Sequence, residues 1–184
     1  MSTKPFKLGI IVGRFQNFHK GHEDVFNKAI QICDKVGVFV GSSQEEKTSK
    51  NPFSYELRKS MLEKVFSNSI SVFPLPDIGV GNNSKWGDYV LKNVIERFGE
   101  KPDLLISGKE ERRVDWFDGV NGLSVALLYV PKTIDISASV MRQHLINNDF
   151  QQWKKYTNEK LWDDFEMLRD LVLSSKDNKE TDSI

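Results

Sequence analysis

Five short apolar runs, separated by stretches with helical periodicity, constrain the fold of this chain more than any other feature. Phe6–Val12, Val36–Val40, Ser69–Leu75, Leu104–Ile106 and Val125–Val130 each read as a short strand, Phe6–Val12 apolar on both faces and Val36–Val40 a candidate for burial. Between them, His22–Lys35 and Trp86–Phe98 have the 3.6-residue spacing of amphipathic helices. A third helix is expected after Ser54, a good N-cap, with Leu57, Met61, Leu62 and Val65 on its apolar face. Strands alternating with helices build βαβ units. The pattern therefore predicts an α/β class: a Rossmann-like, mainly parallel five-stranded sheet with helices on both faces. After Ser137 the chain turns helical, and Leu161, Phe165, Leu168 and Val172 form one apolar stripe that should dock on the domain or on another subunit. A single domain over 1–173 is expected, its helical C-terminal part at about 137–173, followed by a polar, disordered tail over 174–184.

Bulk properties narrow the function classes. The 26 Lys and Arg residues balance 26 Asp and Glu residues, so no global positive field points to nucleic acid or a membrane surface. Cys33 is the only cysteine, which excludes an internal disulfide, and its spacing with Val25, Phe26, Ala29 and Ile30 predicts a buried, unreactive thiol. The apolar run near the N-terminus is shorter than a secretory core of about 7–15 residues or a membrane span of about 20. A cytoplasmic location is expected.

The stretch GRFQNFHKGH, residues 13–22, follows the first predicted strand and holds two of the three histidines. In a parallel sheet, such a loop opens over the ligand crevice at the carboxyl ends of the strands. Gly13 permits a sharp turn there, and Gly21 removes a Cβ that would keep a ligand from the backbone. His22 would begin the next helix, where free N–H groups and the helix dipole favour an anion, with His19 just before it. Two imidazoles and a helix N-terminus suit phosphate oxygens. A solvated loop with two unconnected histidines is the plainer alternative. A metal site would need further ligands, and only His144 and no cysteine pair remain to supply them.

GRFQNFHKGH resembles the (H/T)xGH signature of the nucleotidyltransferase superfamily, and ISASVMR at 136–142 resembles its ISxTxxR signature, with Ser139 retaining the hydroxyl. Further segments resemble archaeal-type nicotinamide-mononucleotide adenylyltransferases. GSSQEEKTSKNPFSYELR at 41–58 is similar to that family's GSAQ…NPF…ER, and PLPDI at 74–78 with Asn83, Trp86, Tyr89 and Val90 to its PxPDI…NxxW…YV. Ser107-Gly108 followed by Arg112-Arg113 is similar to SGN…RR. The resemblance runs from about residue 7 to about residue 155. Asn17 departs from it where proline is usual, which predicts a less rigid loop. Lys109 replaces an asparagine, and the stretch between Ile78 and Trp86 is longer than usual.

The resemblance implies transfer of AMP from ATP to nicotinamide mononucleotide, giving NAD and pyrophosphate by direct in-line attack, with Mg²⁺ arriving on ATP and no separate protein metal site. It implies catalytic roles for His19, His22 and Arg142. It implies ATP contacts from Gly13, Arg14, Phe15, His19, Gly21, His22, Ser107, Gly108, Ser137, Ser139 and Arg142. Trp86 would stack on the nicotinamide, with Asn83, Gln44 and Lys50 on the mononucleotide. Related proteins are commonly homo-oligomers, so an oligomer is expected, with no nucleic acid or membrane partner. Two weaker motifs fail. GSSQEEKT at 41–48 approaches a Walker A loop but carries Glu46 at a required glycine, and GVGNNS at 79–84 lacks the last glycine of GxGxxG. The competing readings are transfer to another phosphorylated partner (phosphopantetheine, flavin mononucleotide or glycerol phosphate) and a catalytically weak nucleotide-binding regulator.

Overall fold

The computed structural model describes residues 3–81, 83–108, 116–117 and 123–177. Strands β1 (Phe6–Gly13), β2 (Cys33–Gly41), β3 (Ser71–Leu75), β4 (Leu104–Ser107) and β5 (Ala126–Tyr129) form one sheet in the order β3-β2-β1-β4-β5. Every pairing in it is parallel. The order reverses between β1 and β4, so the crevice of this sheet lies beyond Gly13 and Ser107.

Helices α1 (Lys20–Ile32), α2 (Tyr55–Phe66) and α3 (Ser84–Phe98) connect the first four strands. Alternate residues of β1 serve two cores. Ile11 faces the cluster that holds Phe26, Met61 and Leu62 from α1 and α2, whereas Leu8, Ile10 and Val12 face Val90 and Val94 of α3. Helices α4 (Ala138–Ile146), α5 (Phe150–Lys155) and α6 (Phe165–Asp177) join the first cluster through Met141, Leu145, Trp153 and Phe165. The sheet thus has helices on both faces, as its sequence pattern predicts. No helix among the described residues is long and apolar enough to cross a membrane.

Several boundaries differ from the sequence expectation, each for a local reason. Helix α1 ends at Ile32 rather than Lys35, because Cys33 already pairs with Phe6 and the chain enters β2 without a loop. A Cβ on Gly9 would lie 2.4 Å from Cys33 Sγ, so the glycine in the middle of β1 makes room for that side chain. Cys33 is buried, and burial pushes its thiol up to about 11, which keeps it protonated and inert. Ser67–Ser69 forms a 3₁₀ turn, so β3 begins at Ser71 and not at Ser69. Strand β5 is an edge strand with Leu127 and Tyr129 exposed. Pairing only with β4 leaves it less covered than the central strands.

The stripe Leu161, Phe165, Leu168 and Val172 is buried against the chain's own core, which resolves the expected alternatives in favour of the domain. It is not open to form a subunit seam. The helical region also extends past Val172: Ser174 and Ser175 donate their hydroxyls to Leu171 O, and Ser175 is buried. The predicted tail therefore does not start at Ser174, since back-bonding to the preceding turn keeps both serines in α6. Residues 178–184 lie outside the described set.

Trp153 is the largest fully buried side chain among the described residues and contacts Phe165 at 5.3 Å between ring centroids. Trp153→Ala should lower unfolding free energy by about 3–5 kcal/mol, the usual cost of a large core cavity. Urea denaturation followed by circular dichroism checks this.

Candidate active site

A cavity of about 730 Å³ opens at the carboxyl ends of β1, β2 and β4, within the size range of small-molecule sites. The residues after β1 form one wall. Gly13 is needed there because a Cβ would approach Phe15 Cζ to 2.8 Å. Phe15 and Asn17 take left-handed backbone angles, φ 50° and 82°. Proline is locked near −65°, so the residue usual at position 17 could not adopt this conformation, whereas asparagine tolerates it. Asn17 is buried, so it belongs to a packed loop.

His19 is the N-cap residue of α1, but its side chain makes no capping bond. Its ring stacks on that of His22 with 3.8 Å between centroids and an interplanar angle of 22°. Phe18 also stacks on His22, at 5.8 Å, and Phe15 meets His22 edge-on. A Cβ on Gly21 would come within 3.2 Å of His19 Cε1 and Nδ1, so the glycine between the histidines lets this imidazole lie over the first helical turn. His19 is 5 % exposed, lines the cavity, and its Nδ1 has no hydrogen-bond partner. Burial and the nearby Lys132 ammonium push it down to about 4. The imidazole is thus neutral at physiological pH, able to donate from one nitrogen without bearing charge.

The C-terminal signature approaches the same wall. Ser137 and Ala138 line the cavity, and Ser137 caps α4 by accepting from Val140 N. Two helix N-termini, α1 and α4, therefore face one space. Arg142 donates to Gln16 O at 3.3 Å and to Ser139 Oγ at 3.2 Å. Burial and the charge of Arg14 lower its pKa. Arg142 reaches from α4 to the loop after β1 through Gln16 O, and neither Arg142 nor Ser139 forms part of the cavity wall.

Two polar contacts hold the loop after β1 in place. Gln16 and the Phe53 backbone exchange hydrogen bonds at 3.1 and 3.0 Å. Arg58, fully buried on α2, donates to the carbonyls of Arg14, Gly41 and Ser42 at 2.8–3.0 Å, and also to Ser54 O. Burial and Arg14 depress its pKa to about 10, still far above neutrality.

The opposite end of the cavity is aromatic and carries one carboxylate. Trp86 lines it, with Trp116 edge-on at 6.4 Å. A Cβ on Gly87 would overlap Trp116 O, so the bare first turn of α3 seats that backbone. Asp77 accepts from Ser42 Oγ, and Gly79, Val80 and Gly81 continue the wall. Asn83 stands off the wall. Its Oδ1 caps α3 by accepting from Lys85 N and Trp86 N, and its Nδ2 donates to Val80 O. Gln44 Oε1 accepts from Asp77 N, which ties two loops together, and Lys50 is exposed away from the cavity.

Of the residues expected from sequence, Gly13, Arg14, Phe15, His19, Gly21, His22, Trp86, Ser107, Gly108 and Ser137 share the cavity wall. Ser139, Arg142, Gln44, Lys50 and Asn83 do not. Lys109, Arg112 and Arg113 lie outside the described residues. Asp77, Ser42, Trp116, Ile136 and Lys132 are cavity residues that the sequence reading did not select. Asp77 was within reach of that reading, since it follows a strand at its carboxyl end. Trp116 had no such signal.

Residues 10–169 match the family model described as cytidylyltransferase-like. The chain belongs to that family. It is 38 % identical over 95 residues to a nicotinamide-nucleotide adenylyltransferase of Pyrococcus horikoshii, covering 49 % of this chain and 50 % of the relative. It is 36 % identical over 88 residues to one from Saccharolobus solfataricus, covering 45 % and 50 %. The chain spans about half the length of the curated relatives it matches. Among solved structures, a bifunctional NMN adenylyltransferase/ADP ribose pyrophosphatase from Francisella tularensis, complexed with AMP and a manganese ion, superposes with a TM-score of 0.73 at 25 % identity. That match covers 95 % of this chain and 54 % of the other. A putative nicotinate-nucleotide adenylyltransferase from Vibrio parahaemolyticus shares the fold, at a TM-score of 0.58 and 14 % identity over 91 % and 99 % of the chains.

The His19 environment makes a pH prediction. The folded protein keeps His19 neutral, while the unfolded chain takes up a proton below about 6.5. Its contribution therefore lowers stability as pH falls from about 6.5 toward 4 and is constant above that window. An NMR titration of the His19 ring should give a midpoint near 4. A midpoint near the ordinary histidine value would contradict the packing described.

Proposed function

We propose that this protein is a nicotinamide-nucleotide adenylyltransferase that joins the AMP of ATP to nicotinamide mononucleotide, releasing pyrophosphate. The observation that carries this reading is the convergence of both signature loops on one cavity, with the stacked imidazoles and two helix N-termini at one end and Trp86 at the other. Relatives named for this activity support it.

The chemistry asks little acid–base work of the protein. A phosphate oxygen of the mononucleotide attacks the α-phosphorus of ATP, and the bond from that phosphorus to the β-phosphate oxygen breaks. The nucleophile is already ionised, so alignment and stabilisation of growing charge are the main tasks. Neutral His19, with His22 stacked on it, offers N–H donors, and the α1 and α4 N-termini add backbone N–H groups for the triphosphate. Arg14 contributes charge at the cavity, and Arg142 holds the loop that carries the histidines. A divalent cation enters on the triphosphate as part of the substrate. Among the described residues no three His, Cys, Asp or Glu side chains group to hold a metal. Trp86 presents an indole face suited to a cationic pyridinium ring, and Asp77 is the nearby acceptor for an amide or ribose hydroxyl.

The direct test supplies MgATP with nicotinamide mononucleotide, its nicotinate analogue, phosphopantetheine, flavin mononucleotide and glycerol phosphate in turn, and follows pyrophosphate release and NAD. NAD formation exceeding every other product is expected. ATP binding without any transfer product would replace this reading with a regulatory nucleotide sensor. His19→Ala and His22→Ala should each lower kcat by roughly 10²–10³, the cost of one lost transition-state donor. Trp86→Ala should raise KM for the mononucleotide more than KM for ATP, by roughly tenfold if the stacking is with a cation. Steady-state kinetics with each substrate varied separately reads both effects.

A further inference from the structure

Lys132 comes from the connection between β5 and α4 and belongs to neither signature. Its segment is fixed on both sides. Thr133 Oγ1 donates to Asp24 Oδ2 on α1, Ile136 N donates to Ile134 O at 2.9 Å, and Ile136 is 3 % exposed. The lysine side chain lines the cavity together with Ser137, Ala138 and His19. It is exposed and has no ion pair among the described residues. Its charge is felt at His19, where it acts with burial to disfavour the imidazolium. This end of the cavity thus holds an imidazole kept neutral and an ammonium with no ion-paired carboxylate among the described residues. Arg142 is occupied with Gln16 O and Ser139 Oγ. Lys132 is the mobile-stemmed cation that can follow a departing anion.

We propose that Lys132 is a substrate-contacting residue whose ammonium binds the β- and γ-phosphates of ATP and remains on them as they leave as pyrophosphate. As the bond from the α-phosphorus breaks, its electron pair passes to the bridging oxygen, and the added negative charge forms on the diphosphate beside Lys132. No proton needs to move. The catalytic part of this assignment rests on the adenylyl-transfer reading; the binding part requires only that the cavity take a di- or triphosphate.

The test therefore measures binding and turnover separately, in wild type, Lys132→Ala and Lys132→Arg. By calorimetry, Lys132→Ala should bind magnesium pyrophosphate and MgATP about tenfold more weakly, the loss of one charge-assisted contact. Nicotinamide mononucleotide should bind unchanged, and Lys132→Arg should retain most of the affinity. In the reverse reaction KM for pyrophosphate should rise about tenfold in Lys132→Ala while KM for NAD stays the same. Equal pyrophosphate and ATP affinities in wild type and Lys132→Ala overturn the assignment, as does a wild type that binds neither. A wild type that makes no NAD, with ATP binding weakened in Lys132→Ala, removes the adenylyl-transfer reading and leaves the phosphate contact standing. Normal NAD synthesis with unaltered pyrophosphate affinity in Lys132→Ala removes Lys132 alone.

Discussion

The site depends on a buried cation that lies outside the cavity wall. Arg58 is fully buried without a carboxylate partner and directs its guanidinium at backbone carbonyls from the ends of β1 and β2. Three loop carbonyls converging on one point would otherwise be buried acceptors without donors, each costing about 1–3 kcal/mol. A planar fork of donors can satisfy them together, which a lysine ammonium cannot do with the same geometry. The loop that carries the histidines is thus set by α2, an element with no residue on the cavity wall. Gln16 repeats the device, sharing both of its amide groups with Phe53.

That scaffold explains an otherwise awkward feature of the site. Two imidazoles stacked at 3.8 Å, beside a lysine and an arginine, would repel one another if both were protonated. The buried surroundings resolve this by keeping His19 neutral. A neutral imidazole held rigidly thus sits among positive charges carried by flexible side chains on separate segments.

The sequence was most informative where one local pattern decides the outcome. Ser54 caps α2 as its side chain predicts, and the Leu161 to Val172 stripe is buried as its spacing requires. GRFQNFHKGH could be placed after a strand and over the crevice because a parallel sheet leaves its loops there. Legibility failed where a distant partner decides. The periodicity of α1 runs on through Cys33, but pairing with Phe6 draws that residue into β2. Asn83 is a local case: its carboxamide bonds Lys85 N, Trp86 N and Val80 O, as its place just before α3 allows. Trp116 and Lys132 reach the cavity from connections with no motif, and only the folded chain brings them beside Trp86 and His19.

Asn17 limits what this loop can accept. Its positive φ lies in a region closed to a pyrrolidine ring, and Phe15 two residues earlier is also left-handed. With Asn17 buried and Gln16 bonded to Phe53, Asn17→Pro would force the backbone between Gly13 and His19 onto another course, so this position accepts proline only if its neighbours are rebuilt with it.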